Sequence, residues 1–261
     1  MRGPNFTLNS ACSSGGNAVG QAMQWIREGR TRVVICGGTE APVTYGLLRA
    51  WDSMGVLSRN HNGTPETACR PFDKNRSGFV LAEGAAVLVL ESLESAQKRN
   101  VPVLGEIAGF GSNCDATSLT NPDENGVADA IRLALDDAEL NPKDIGYINA
   151  HGTGTRLNDP LECRAIHQIF GGRAATLPVS SNKSVFGHSM GASSALEALA
   201  TLLAVQNDCA PPTLNCDYQD PECAIDTVSH NSRKVTIDAA LSNSFAFGGS
   251  NAVLAFRKWK P

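Results

Sequence analysis

"LNSACSSGGNAVGQAM", residues 8–23, runs from an apolar stretch through one cysteine, Cys12, into a glycine-rich turn and then a helical pattern. Val19, Ala22, Met23 and Ile26 share one face of that helix, and Gly29 stops it. Ahead of it, "NFTLNSA" reads as a strand. A cysteine at a strand-to-helix junction meets the positive end of the helix dipole, which stabilises a thiolate. Such settings bring a free thiol from a pKa of about 8.5 down to roughly 3.5–7.5. The same residue also reads as one more small buried side chain, and residue type alone leaves both readings open.

Working outward, "RVVIC" is a short buried strand ending in two glycines, and residues 44–80 are irregular and polar. "AAVLVLESLESAQKRN" is a strand running into a helix, and "VPVLGEIAGFG" is a further strand. From residue 101 the scheme repeats. "ENGVADAIRLALDDAEL" is helix, "IGYINA" strand, "DPLECRAIHQIF" helix, "LPVSS" strand and "SMGASSALEALATLLAVQ" helix starting near Ser189. "VTIDAALSNSF" and "NAVLAF" are the closing strands. This alternation predicts an α/β fold with buried, largely parallel sheets, in two blocks (residues 1–100 and 101–261).

Composition narrows the function classes. The 261 residues are 42% hydrophobic and 18% charged, an ordinary globular balance. A net charge of −4, with no basic run longer than two residues, argues against nucleic acid. Apolar stretches such as "AAVLVL" are too short to span a membrane. "MRGPNFTLNS" lacks the features of a secretory signal or transit peptide. The 8 cysteines form no CxxC pair and are scattered, which predicts reduced thiols in a cytoplasmic compartment. No metal site is read, because the prolines of "CAPPTLNC" preclude a helix gathering Cys209, Cys216 and Cys223.

Two further segments concentrate reactive side chains beside glycine. His151 in "NAHGTGTRLNDPLE" ends a strand and enters a Gly/Thr loop suited to a polar ligand. Lys183 and His188 in "SSNKSVFGHSMGASS" lie in the loop before a helix, whose dipole disfavours an imidazolium at His188. Singly, each also reads as structural. Together they place Cys, His, Lys and His at strand ends, where ligand sites gather in α/β folds.

In order and wording, "ACSSG", "HGTGT", "SNKSVFGH" and "NSFAFGGSN" resemble the β-ketoacyl-acyl-carrier-protein synthases of the elongating Cys-His-His type. "CRPFDKNRSGFVLAEGAAVLVLE" and "PPTLN" fit the same family. The resemblance implies a thiolase-like fold in αβαβα layers, with the nucleophile in the first half and both histidines and the lysine in the second. It also implies a decarboxylative Claisen condensation. Cys12 would accept the acyl group, and His151 and His188 would donate to the enolate formed as malonyl-carrier protein loses CO₂. Lys183 matches the lysine that orients this pair. Phe247 and Gly248 match the gate, and the amides of Cys12 and Phe247 match an oxyanion hole. Thr153 and Thr155 match threonines holding the phosphopantetheine arm, and Glu162 and Glu197 match a buried polar network. No cofactor is implied beyond the phosphopantetheine of an acyl carrier protein, and the partners implied are that carrier and a second copy in a homodimer.

Three departures accompany the resemblance. "GHSMGASS" replaces "GHTLGAAG", with Ser194 where glycine is common, and Ala246 replaces a gate glycine, which predicts a stiffer gate. Only eleven residues precede Cys12, which implies an incomplete first half with an open sheet edge and exposed apolar surface. The competing expectations are a catalytically impaired fragment or non-catalytic partner subunit, and a coenzyme A thiolase-type enzyme. A thiolase would bring a second cysteine as base.

Overall fold

The computed structural model describes residues 2–260. After an extended lead, helix α1 spans Ser14–Arg27 and antiparallel strands β1 (Val33–Glu40) and β2 (Gly84–Glu91) form a two-stranded sheet. Between them lie the short helix α2 (Tyr45–Ser53) and an irregular polar segment. Helix α3 (Leu93–Lys98) leads to β3 (Glu106–Cys114), α4 (Glu124–Asp137), β4 (Tyr147–Asn149) and α5 (Asn158–Phe170). Then come β5 (Pro178–Ser180), α6 (Lys183–Phe186), α7 (Ser193–Asn207) and the two-residue strands β6 (Cys209–Ala210), β7 (Asp226–Thr227) and β8 (Arg233–Lys234). Strands β9 (Ala239–Phe245) and β10 (Ser250–Arg257) close the chain.

The main sheet runs β3-β10-β9-β4-β5-β7. Its β9-β4-β5-β7 part is parallel, whereas β10 pairs antiparallel with both neighbours. The largely parallel sheet read from the alternation is therefore corrected to a mixed one. The closing strands follow each other through a tight turn, and a turn of that length joins only antiparallel strands.

Layering follows from which faces are apolar. Val127, Ile131 and Ala134 of α4 and Ile166 of α5 pack on one face of the main sheet with Ile148, Leu241 and Val253. On its other face Val19 of α1 and Ala198 and Val205 of α7 pack with Tyr147, Ala240 and Leu254, and Leu88 of β2 joins them from the far side. α1 and α7 are thus sandwiched between two sheets, and four layers, αβαβ, are present among the described residues. Gly15 permits the contact of the two buried helices, since a Cβ there would meet Ala195 N at 2.7 Å.

The outer face of the β1–β2 sheet is bare. Ile35, Val87 and Val89 are 57%, 65% and 64% exposed. "NFTLNSA" forms no strand: residues 5–9 are exposed coil, and among the described residues no strand pairs with them. Phe6 instead rests on Trp25, ring centroids 5.3 Å apart. β1 also runs through Gly37 and Gly38 rather than ending before them. Gly38 lies where a Cβ would meet Gly191 O at 2.8 Å, so the strand needs glycine to pass beneath the His188 loop. The helix expected from Ser189 begins at Ser193, after a 3₁₀ turn over Met190–Ala192.

Candidate active site

Cys12 is buried at the start of α1. Ala11, just before it, has φ 52°, a left-handed conformation rare for a residue with a Cβ. Around this bend Ser14 Oγ donates to Ala11 O at 2.6 Å and accepts the Ser10 amide at 2.9 Å. The thiol meets its own backbone amide at the bend that leads into α1. A second piece of backbone arrives from the turn after β9, so that the amides of Cys12 and Phe247 both favour the anionic sulfur.

These amides do not lower the thiol's pKa overall. Burial pushes Cys12 up to about 11, with Lys183 the largest opposing influence and Glu197 adding to the rise. The depressed thiol expected from the helix dipole is thereby corrected: complete burial outweighs the dipole and the amides together.

His151 follows β4, where two carboxylates of α5, Asp159 in its first turn and Glu162 in its second, hold the loop. Glu162 accepts the amides of His151 and Gly152 at 2.9 and 2.8 Å, and Asn243 donates to it at 3.1 Å. Asp159 accepts the amides of Gly154 and Phe72 at 3.1 and 2.9 Å, tying this loop to the 58–80 segment. Burial raises both carboxyls above their ordinary values. Thr153 and Thr155 pair hydroxyl to hydroxyl at 2.9 Å and line the cavity.

Lys183 is fully buried. Its Nζ donates to His151 O at 2.6 Å, lies 3.3 Å from His151 Nδ1 and pairs with Glu197 of α7. Burial raises the Glu197 carboxyl to about 7 despite that partner. His188 is placed by its own amide donating to Val80 O at 2.7 Å, and its Nδ1 lies 2.7 Å from Ser193 Oγ. The two imidazoles meet edge to face, centroids 5.7 Å apart. Burial first, then Lys183, holds both well below the usual histidine value, so both are neutral at pH 7.

Cys12, His151, His188, Phe247, Thr153 and Thr155 line one cavity of about 560 Å³. Lys183, Glu162 and Glu197 stand behind its wall. Gly248, with φ 82°, is exposed in the turn after Phe247, and its amide donates to Leu119 O at 2.8 Å. The cavity thus gathers Cys12, His151, His188, Phe247, Thr153 and Thr155, with Lys183, Glu162 and Glu197 behind it, while Gly248 lies outside the lining in the adjoining turn.

Residues 1–96 match the family model described as beta-ketoacyl synthase, N-terminal domain, and residues 104–217 match beta-ketoacyl synthase, C-terminal domain. The chain belongs to the β-ketoacyl synthase family. It is 46% identical over 261 residues to 3-oxoacyl-[acyl-carrier-protein] synthase 2 of Synechocystis, covering 99% of this chain and 62% of that protein. It is 45% identical to nodulation protein E of a Rhizobium strain, covering 99% and 62%. The chain thus spans about 62% of the length of these curated relatives. Among solved structures, a type II PKS acyl-carrier protein in complex with its ketosynthase bound to the hexaketide superposes with a TM-score of 0.96 at 34% identity, covering 98% of this chain and 64% of that one. A β-ketoacyl synthase from Burkholderia phymatum gives 0.92 at 39% identity, covering 97% and 61%. The layers described above are those of this family's thiolase-like fold.

Within that family's frame the departures have structural roles. Ser194 Oγ accepts the Gly16 amide at 2.9 Å, so it satisfies a first-turn donor of α1 from the neighbouring helix. Ala246 sits at φ −122° and ψ 158°, ordinary extended backbone, while the left-handed positions of the gate are Gly248 and Gly249. The turn thus keeps glycine at its two left-handed positions, and Ala246 adopts a conformation open to any residue. Sequence reading passed over Ser193, Trp51 and Phe79, which shape the His188 side of the cavity. Residues 44–80 were read as irregular, whereas Trp51 lies on helix α2 and only Phe79 lies in irregular chain.

Proposed function

We propose that this chain is the catalytic part of a 3-oxoacyl-acyl-carrier-protein synthase, joining an acyl group on Cys12 to a malonyl-derived unit with loss of CO₂. One observation carries the reading: a buried thiol faced by two backbone amides shares a cavity with two neutral, mutually contacting imidazoles. Cys12 would attack the incoming thioester, with the amides of Cys12 and Phe247 taking the charge on the acyl oxygen. A charged Lys183 Nζ has no lone pair to offer, so His151 Nδ1 accepts and Nε2 carries the donor proton. Ser193 Oγ accepts the Ser189 amide at 2.9 Å and lies 2.7 Å from His188 Nδ1, and with its hydroxyl donating there His188 would hold Nε2–H as donor too. Two neutral donors suit an oxygen that becomes an enolate as CO₂ leaves.

The acyl carrier protein is the proposed partner, with Thr153 and Thr155 receiving its phosphopantetheine arm. A homodimer and a cytoplasmic setting belong to the same reading, as does the division near residue 100, which puts Cys12 in one half and His151, Lys183 and His188 in the other. Cys12 is the one cysteine among the residues lining the cavity, which disfavours thiolase chemistry with its second thiol. Among the described residues no helix is long and apolar enough to cross a membrane.

Intact-mass analysis after incubation with an acyl-carrier protein tests the reading. An adduct on the wild type that is absent in Cys12→Ala is expected. An adduct that persists in Cys12→Ala sinks the nucleophile, and a folded wild type that takes no acyl group sinks the activity.

A further inference from the structure

Helix α2 touches the body of the molecule almost solely through its last turn. Residues 45–50 are all exposed, including Tyr45, Leu47 and Leu48, whereas Trp51 is half-buried and lines the cavity with Cys12. Its indole lies 5.7 Å from the Phe247 ring on one side and 5.7 Å from Phe79 on the other. Phe79 in turn meets His188 edge-on at 5.2 Å. A continuous run of rings therefore joins the gate to the histidines, with Trp51 as its widest member. Trp51, Val56 and Leu57 pack against the same small core as Cys12, Phe79 and Met190.

We propose that Trp51 is a specificity-determining residue: its indole is the wall that limits how far an unbranched alkyl chain attached to Cys12 extends, and it props Phe247 over the thiol. The proposal rests on the condensing-enzyme reading only for the source of that chain. Next to Cys12 the wall formed by Trp51, Phe79 and Met190 favours an apolar occupant, because a hydroxylated chain would leave its polar groups unpaired there. Discrimination in such a pocket is graded, about 10-fold or more for one misfitting methylene. Removing the indole therefore moves a length cut-off rather than abolishing attachment.

Linear alkyl methanethiosulfonates, methyl to decyl, test this on the full chain. The Cys12 sulfur attacks the sulfenyl sulfur, the S–S bond of a mixed disulfide forms, and methanesulfinate leaves with the thiol proton. No carrier protein or condensation is involved, so the chamber is measured independently of the proposed activity. Rates at Cys12 are read by peptide mass. Trp51→Ala is expected to raise the long-to-short rate ratio roughly tenfold and to move the cut-off longer, with Trp51→Phe between it and the wild type. An unchanged ratio in Trp51→Ala overturns the proposal. Should that variant fail to fold, Trp51→Leu carries the same expectation, and an unchanged ratio there overturns it equally. A Cys12 that takes alkylthio groups with the expected length dependence, yet takes nothing from an acyl-carrier protein, refutes the activity and leaves the role of Trp51 standing.

Discussion

Ser193→Ala removes one hydroxyl that serves two buried groups. Ser193 Oγ accepts the Ser189 amide at 2.9 Å and lies 2.7 Å from His188 Nδ1, and all three residues are buried. Without it the Ser189 amide loses its only partner of that kind, which costs about 1–3 kcal/mol of stability. His188 loses the contact that fixes its tautomer, worth about 0.5–1.5 kcal/mol as a net hydrogen bond. At about 1.4 kcal/mol per factor of ten, that bias alone corresponds to roughly 2- to 12-fold in the population of the productive imidazole. Outright loss of an oxyanion donor, roughly 10²–10³-fold, sets the ceiling. Malonyl-thioester decarboxylation, followed as CO₂ release, is therefore expected to fall by about 10-fold while Cys12 acylation, followed by intact mass, holds near the wild-type rate. Decarboxylation at the wild-type rate would refute the tautomer argument. So would an equal fall in both steps, since Ser193 would then support the whole site rather than His188.

Other consequences follow from the same geometry. With the Cys12 thiol near 11, its alkylation by iodoacetamide should climb about tenfold per pH unit through pH 9, and a plateau by pH 8 would contradict burial as the dominant influence. Lys183→Met strips a fully buried carboxylate of its partner, a change of about 3–5 kcal/mol when the charge remains. Glu197, already raised to about 7, rises further in that variant, so the folded state holds a proton that the unfolded state has released. Stability should then fall as pH rises from 6 to 8, by about 1.4 kcal/mol per unit, and urea unfolding with equal losses at both pH values would exclude this account. Gly248→Ala adds a Cβ with nothing within 4 Å, at φ 82°, so its full effect is backbone strain of about 1–2 kcal/mol, read as a lower Tm. An unchanged Tm would mean that the turn relaxes freely.

How far the sequence could be read depended on whether a feature was local. The helices α1, α4, α5 and α7 were legible because a 3.6-residue apolar period needs no knowledge of neighbours. Cys12, His151, Lys183 and His188 were legible as a set because each stands beside glycine at an element end. The sheet's direction was not, since β9 and β10 look alike whether they run parallel or antiparallel. "NFTLNSA" shows the converse: it alternates like a strand, yet pairing is a property of two segments and none among the described residues pairs with it. Trp51 lies in the last turn of helix α2, which the irregular reading of residues 44–80 missed, and Phe79 follows Arg70, Asp73 and Arg76, a buried ionic cluster bonded to Asp159, Asp217 and Asp220 far along the chain. Long-range pairs of that kind leave no period to detect.

The charge states of the site explain why a thiol held near 11 is no obstacle to the proposed reaction. Transfer of an acyl group from one sulfur to another creates no net charge: the proton that leaves Cys12 ends on the departing pantetheine thiol. A standing thiolate would be largely removed from water and would feel the Glu197 carboxylate, and burial makes that state costly. The amides of Cys12 and Phe247 act instead on charge that exists only while the thioester is being exchanged. The histidines obey the same logic. Held neutral by burial and by Lys183, they have hydrogen bonds to give and no positive charge to trap the enolate once it forms. An imidazolium pair would bind the malonyl carboxylate tightly and oppose its departure as CO₂, whereas neutral donors favour the oxygen that gains charge over the carboxylate that loses it.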